Sequence, residues 1–170
     1  MRRSRIIRTV VVDDEPLARE RVRQLLEGEP DIEVVGEYGD GYKAAVGIEE
    51  VKPDLIFLDI QMPQLNGFEL LETIGTSEAA VVFVTAYDTY ALRAFEVHAV
   101  DYLLKPFGRE RFVEALEVAG VVAAADQGQQ SAGARVHVEE GLAGLIGDGR
   151  IRIAVDQANL VRRIERARDR

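Results

Sequence analysis

Short apolar runs alternate along residues 1–120 with stretches whose apolar positions recur at helical spacing. The runs are Ile6–Val12, Ile32–Tyr38, Asp54–Leu58, Ala80–Val84 and Val100–Leu104, each of strand length and rich in Val, Ile or Leu. Mostly continuous apolar character suits strands covered on both faces, as in a parallel sheet. Between them the pattern predicts helices over Pro16–Leu26, Gly41–Val51, Gly67–Ile74 and Thr89–Glu96, with another over Arg109–Ala119. Ala18, Val22, Leu25 and Leu26 share one helix face, as do Ala91, Ala94, Phe95 and His98, and likewise Phe112, Leu116 and Ala119. Pro16 stands where a first helical turn tolerates proline, just after acidic residues that favour a helix N-terminus. Five successive βα units predict a doubly wound α/β domain. No internal repeat of fixed period is present.

The pattern ends near residue 120. Ala123 to Ala134 is small and polar with nothing large to bury, which reads as a linker over 121–134. Charge divides at the same place. Residues 1–120 carry 13 basic and 23 acidic side chains, and residues 121–170 carry 8 and 7, within a total of -9. So acidic a first part does not attract duplex DNA or anionic lipid. The chain has no cysteine, which excludes disulfides, zinc–cysteine sites and thiol catalysis. Its histidines, His98 and His137, are too few for a histidine-rich metal site, and His98 reads as a helix-end packing residue. No apolar run approaches the ~20 residues of a membrane span. The four arginines of Met1–Arg8 precede no signal-peptide core and read as a solvated basic end. The expectation is a cytoplasmic protein with no membrane partner.

In a doubly wound sheet, ligands sit beyond the carboxyl ends of the strands. The residues that follow the runs are therefore the informative ones. Asp13, Asp14 and Glu15 follow the first and Asp59 the third, while Thr85-Ala86 follows the fourth and Lys105-Pro106 the fifth. Each alone has an ordinary structural role available, such as an N-cap, a turn or a surface charge. Their common position at one edge is what points to a site.

These residues sit in motifs that resemble the receiver domain of bacterial two-component response regulators. The motifs are Val11-Val12-Asp13-Asp14-Glu15-Pro16, Leu58-Asp59-Ile60-Gln61-Met62-Pro63 with Asn66-Gly67, Thr85-Ala86 and Lys105-Pro106-Phe107. The stretch from Thr85-Ala86-Tyr87-Asp88 through Asp101-Tyr102-Leu103-Leu104-Lys105-Pro106-Phe107 resembles the LytTR (LytR/AlgR) class in particular. The resemblance covers residues 6 to about 120 and implies a five-stranded parallel sheet of order 2-1-3-4-5. It implies that Asp59 accepts a phosphoryl group from a cognate histidine kinase. Two unit charges ~5 Å apart at an effective dielectric of 20 repel by ~3 kcal/mol, so a site of three carboxylates calls for a divalent cation. Mg²⁺ suits an oxygen-only site that bridges a phosphate. By resemblance its ligands are Asp14, Asp59 and the backbone carbonyl of Gln61, with Asp13 acting mostly through water. Lys105 and Thr85 would meet phosphoryl oxygens, and the small Ala86 would leave room above them. Thr85 would move toward the phosphoryl group and Tyr102 would turn into the space left behind. This would repack the surface of Thr89–His98, Val100–Leu104 and Arg109–Ala119. That surface, with Tyr90, Arg93, Glu96 and Asp101 read as exposed, is expected to form a phosphorylation-dependent homodimer. The Lys105–Pro106 bond is expected to be cis. Such a chain is a signalling domain, not an enzyme.

Two other readings use the same residues. Gly39-Asp40-Gly41-Tyr42-Lys43-Ala44 fits G-x-G-x-x-A, with Asp59 20 residues beyond Gly39, as in a dinucleotide-binding oxidoreductase. Against it, Asp40 would set a carboxylate beside a pyrophosphate, and the motif follows the second run, not the first. An aspartyl-phosphate phosphatase would need an acid–base aspartate where Gln61 stands. In the tail, Gly149–Val155 reads as a strand, and 135–170 resembles the start of a LytTR DNA-binding domain. That module is incomplete in these residues, and Arg162–Arg170 departs from its pattern. The expectation is that 121–170 is disordered or loosely docked and that duplex DNA is bound no better than nonspecifically. Transcriptional regulation follows from the resemblance, with DNA as a partner only where the second domain is complete.

Overall fold

The computed structural model describes residues 5–75, 79–128, 144–145 and 151–152. In chain order its elements are β1 (Ile7–Val12), α1 (Pro16–Glu27), β2 (Ile32–Tyr38), α2 (Gly41–Val51), β3 (Leu55–Leu58) and α3 (Gly67–Ile74). They continue as β4 (Ala80–Thr85), α4 (Ala91–Glu96), β5 (Asp101–Leu104) and α5 (Arg109–Gly128), followed by β6 (Gly144–Leu145) and β7 (Ile151–Arg152). The first five strands form one parallel sheet in the order β2-β1-β3-β4-β5, as the resemblance implies.

The pleat divides the strand residues between two cores. Val10, Val12, Ile56, Leu58, Phe83 and Tyr102 face one side, where Ile48 of α2, Phe68 of α3 and Ala94 of α4 cover them. Val11, Leu55, Phe57, Val82 and Leu103 face the other, against Leu25 and Leu26 of α1 and Phe112 and Leu116 of α5. All residues of β3 and β4 are buried. The edge strand β2 differs: Glu33 and Glu37 alternate outward, and its pairing with β1 shifts register between Thr9 and Val10. Register aligns the other carboxyl ends, with Val12 beside Leu58, Leu58 beside Phe83 and Thr85 beside Leu104. Asp13, Asp59 and Lys105 therefore leave the sheet together.

Three expectations change. α4 begins at Ala91, not Thr89, because the chain first turns through Asp88, whose carbonyl accepts from Ala91 N at 3.4 Å. α5 continues to Gly128, so the first eight residues of the segment read as linker are helical. Ala123 and its alanine neighbours are strong helix formers, and Ala123 itself is buried. Asp101, read as exposed, is buried. Arg111 of α5 reaches it with two N–H bonds of 2.6 and 3.0 Å and also donates to the Tyr102 carbonyl at 3.1 Å. Of the tail, the strand reading over Gly149–Val155 meets β7, which pairs antiparallel with β6. The remainder of 135–170 lies outside the described residues. Among the described residues no helix is long and apolar enough to cross a membrane.

Candidate functional site

Asp13 and Asp59 begin the loops after β1 and β3, and backbone bonds fix both. Asp13 N donates to the Tyr38 carbonyl at 3.1 Å, and Asp59 N to the Val12 carbonyl at 2.9 Å. The Asp13 carboxylate also accepts from Glu15 N at 2.9 Å, which shapes the entry to α1. Behind Asp59 the loop folds tightly: Gly67 N donates to the Ile60 carbonyl at 2.8 Å. A Cβ at Gly67 would lie 2.5 Å from the Asp59 carbonyl oxygen, so only glycine lets α3 start there. Asn66 and Glu69 cap α3 reciprocally, at 2.9 and 2.8 Å.

The carboxylates of Asp13, Asp14 and Asp59 converge, each offering an oxygen within 4.8 Å of the others. Asp13 is 3% and Asp59 6% exposed, whereas Asp14 opens to solvent. Lys105 reaches in from the end of β5, with Nζ 2.7 Å from Asp13 Oδ2 and 3.7 Å from Asp59 Oδ2. The Lys105–Pro106 bond is cis, as expected. Burial pushes the Asp59 carboxyl up to about 6; Asp13 and Asp14 add to this, and Lys105 opposes it. Burial works against the charge of Lys105, but its hydrogen bond to Asp13 and the nearby carboxylates outweigh that and raise its pKa. One ammonium thus pairs with two of the three carboxylates, and an oxygen-only donor set with surplus negative charge fits a hard divalent cation.

The other expected residues stand close by. Thr85 ends β4, wholly buried, and its Oγ1 accepts a long 3.4 Å bond from Tyr87 N. Ala86 is exposed beside it. Tyr102 lies beneath the same loop. Its ring is inside, 2% exposed, and its hydroxyl donates to the Tyr87 carbonyl. Burial, then the Asp88 carboxylate, raises the pKa of that phenol, so it remains a protonated donor. The Gln61 side chain turns toward α4, where Nε2 donates to the Tyr90 hydroxyl at 2.7 Å.

The sequence reading gave Tyr90 and Arg93 no part at this site. They line a cleft of about 470 Å³ with Asp14, Gln61, Met62 and Phe68. Arg93 lies over the Phe68 ring at 4.3 Å. An aromatic residue just ahead of α4 was the available signal, but its partner Gln61 is 29 positions away. The glycines of the G-x-G-x-x-A pattern are used otherwise. Asp40 caps α2, accepting from Lys43 N at 2.8 Å, which fills the helix end a pyrophosphate would need. Gly41 lies against Leu65, leaving 2.8 Å for a Cβ.

Residues 9–117 match the response regulator receiver domain. The chain is 46% identical over 112 residues to the transcriptional regulatory protein BtsR of Salmonella typhi, covering 65% of this chain and 47% of the relative. It is also 46% identical over 114 residues to the sensory transduction protein LytT of Bacillus anthracis, covering 66% and 46%. The chain thus spans about half the length of the curated relatives it matches. Among solved structures, the response regulatory domain of mrkE from Klebsiella pneumoniae superposes with a TM-score of 0.65 at 32% identity, over 69% of this chain and 98% of that one. With fold, edge and motifs in agreement, and with nothing favouring the oxidoreductase reading, the chain belongs to the response regulator receiver family.

Proposed function

We propose that Asp59 is the phosphoacceptor of a two-component response regulator. The observation that carries this is the convergence of three carboxylates and one ammonium at the mouth of the sheet. Asp59 combines burial, a carboxyl raised to about 6 and a position at the end of the central strand. It is still mostly ionised at neutral pH, as a nucleophile must be. An Asp59 oxygen attacks the phosphorus of a phosphohistidine or acyl phosphate. The bond from phosphorus to the donor's nitrogen or oxygen breaks with its electron pair going to the donor, and an acyl phosphate remains on Asp59. Lys105, held between Asp13 and Asp59, follows the phosphoryl oxygens as a point cation. Asp13, Asp14, Asp59 and the Gln61 carbonyl would hold Mg²⁺, which when bound supplies positive charge against the repulsion of carboxylate and phosphoryl group.

The output runs through β4 and β5. The long contact of Thr85 Oγ1 with Tyr87 N is easily given up for a phosphoryl oxygen. That move takes one anchor from the loop whose other anchor is the Tyr102 hydroxyl on the Tyr87 carbonyl. Tyr102 is thus a residue whose hydroxyl contact is exchanged in place, and α4, β5 and α5 form the face that changes. We propose a phosphorylation-dependent homodimer through this face, with Arg93 and Glu96 exposed on it. The phosphodonor is a histidine kinase, the setting the cytoplasm, and the role signalling without turnover of a substrate. BtsR is named a transcriptional regulatory protein, and transcriptional control is the process we assign to the whole regulator. Any DNA contact belongs to a second domain, not to the acidic receiver. Acetyl phosphate with Mg²⁺ should add one phosphoryl group to the chain; equal labelling of Asp59→Asn would overturn the assignment.

A further inference from the structure

We propose that Tyr90 is a positioning residue that holds Gln61 across the mouth of the cleft beside Asp59. It thereby slows both the entry of small phosphodonors and the loss of the phosphoryl group to water. The proposal rests on the reading of Asp59 as acceptor and names a second control on the same site. The cleft lies between the loop after β3 and the start of α4. Asp14, the solvent-facing member of the acidic cluster, forms part of its wall, while Asp59 itself is 6% exposed. Gln61, two residues beyond Asp59, is exposed, and an unheld side chain of its length would sample several rotamers. Here its Nε2 is tied to the Tyr90 hydroxyl at 2.7 Å.

The anchor is rigid. The Tyr90 ring packs 6.1 Å from Phe68 and edge-on to Tyr87 at 6.3 Å, and Phe68 in turn lies against the buried Phe83. Arg93 covers the Phe68 ring from the α4 side. The bridge therefore spans from the acceptor loop to α4 through the Tyr90 side chain, while the Tyr90 backbone meets the Tyr102 hydroxyl. While it stands, the Gln61 amide is turned toward α4 and occupies the cleft mouth. When it opens, water gains room to reach the phosphorus. In that loss, a water oxygen bonds to phosphorus and the bond to Asp59 breaks with its electron pair left on the carboxylate. Dihydrogen phosphate departs carrying both protons of the water.

The test uses the full chain with Tyr90→Phe, Gln61→Ala and the double substitution. Tyr90→Phe keeps the ring and its stacking and removes the hydroxyl alone, and circular dichroism checks its fold. The readouts are the rate of labelling by acetyl phosphate with Mg²⁺ and the rate of phosphoryl loss after donor removal. Tyr90→Phe should raise both by about two- to tenfold, the factor set by one net hydrogen bond. In the Gln61→Ala background the same substitution should change neither rate. No change, a slowing, or an equal change in both backgrounds overturns the proposal while leaving the acceptor intact. Labelling that survives Asp59→Asn overturns the acceptor assignment, and the bridge falls with it.

Discussion

Among the described residues, two places bury an aspartate beside a cation, and they are built on opposite accounts of charge. At the junction of β5 and α5, the Asp101 carboxylate is fully enclosed and meets one guanidinium, which grips it with two N–H bonds. Charge there is matched one to one in the geometry that suits it best. At the carboxyl edge of the sheet, Asp13, Asp14 and Asp59 cluster, and the ammonium of Lys105 pairs with only Asp13 and Asp59 of the three. Burial raises the Asp59 carboxyl there, and the neighbouring carboxylates raise it further. Burial of an acid is therefore not what marks a functional site. Surplus charge of one sign, held in place by the backbone, is the mark, because only such a site gains from a cation and a transferable group.

The sharpest way to break that comparison is chemical. Asp59→Asn should abolish labelling by acetyl phosphate, whereas Arg111→Ala should leave a folded fraction that still labels at one phosphoryl group per chain. The same Arg111→Ala gives the largest effect on stability. It strands Asp101 without its guanidinium, and breaking a buried pair costs about 3–5 kcal/mol. The expected reading is a lower urea midpoint with unchanged slope. A midpoint close to that of the parent chain would show the pair to be dispensable and would undo the contrast.

How much of this was legible in the sequence follows the same division. The five strands and the carboxylates that follow them were readable, because strand ends are local and one sheet edge gathers them; the strand order came from the resemblance, since crossovers leave no local trace. The helix end at Gly128 was not, since the alanines of 121–125 say little about burial when read as a linker. Asp101 was misread as exposed because its partner is ten residues away on the next helix, and only the packing of α5 on β5 brings them together. For Tyr102 the resemblance carries a motion and no starting position, and the packing supplies that position, buried under α4. The bridge from Gln61 to Tyr90 escaped for the reason that hid Asp101: a side-chain hydrogen bond between elements leaves no periodic trace.

A smaller effect comes from pH. The folded Asp59 carboxyl lies at about 6, above its ordinary value of 3.8. The folded chain therefore binds this proton more tightly than the unfolded chain does. The stability it contributes is fully present below about pH 4 and is lost as pH rises through 6. At pH 8, without metal, the ionised carboxylate costs about 3 kcal/mol relative to a neutral group. Asp59→Asn should therefore be the more stable chain by up to that amount at pH 8 in a chelating buffer, and the gain should close near pH 4. Thermal melts at the two pH values measure it. A gain independent of pH would place its origin in packing, not in charge.

The smallest effect separates the two acidic places by their response to a cation. A ligand that binds only the folded chain stabilises it by RT ln(1 + [L]/Kd), about 1.4 kcal/mol at ten times the dissociation constant. Mg²⁺ should supply this at the sheet edge, where three carboxylate oxygens lie within 4.8 Å. It should supply nothing at Asp101, whose oxygens are taken by Arg111. Asp14 is the solvent-facing member of the cluster, so Asp14→Ala removes one charge with little loss of packing. In that variant the rise in melting temperature with Mg²⁺ should shrink to a small fraction of the parent's. In Arg111→Ala, lower in stability throughout, the rise should remain in full. If Mg²⁺ stabilised the Asp14→Ala chain as much as the parent, the surplus charge of the cluster would not be what holds the ion, and the contrast would lose its chemical meaning.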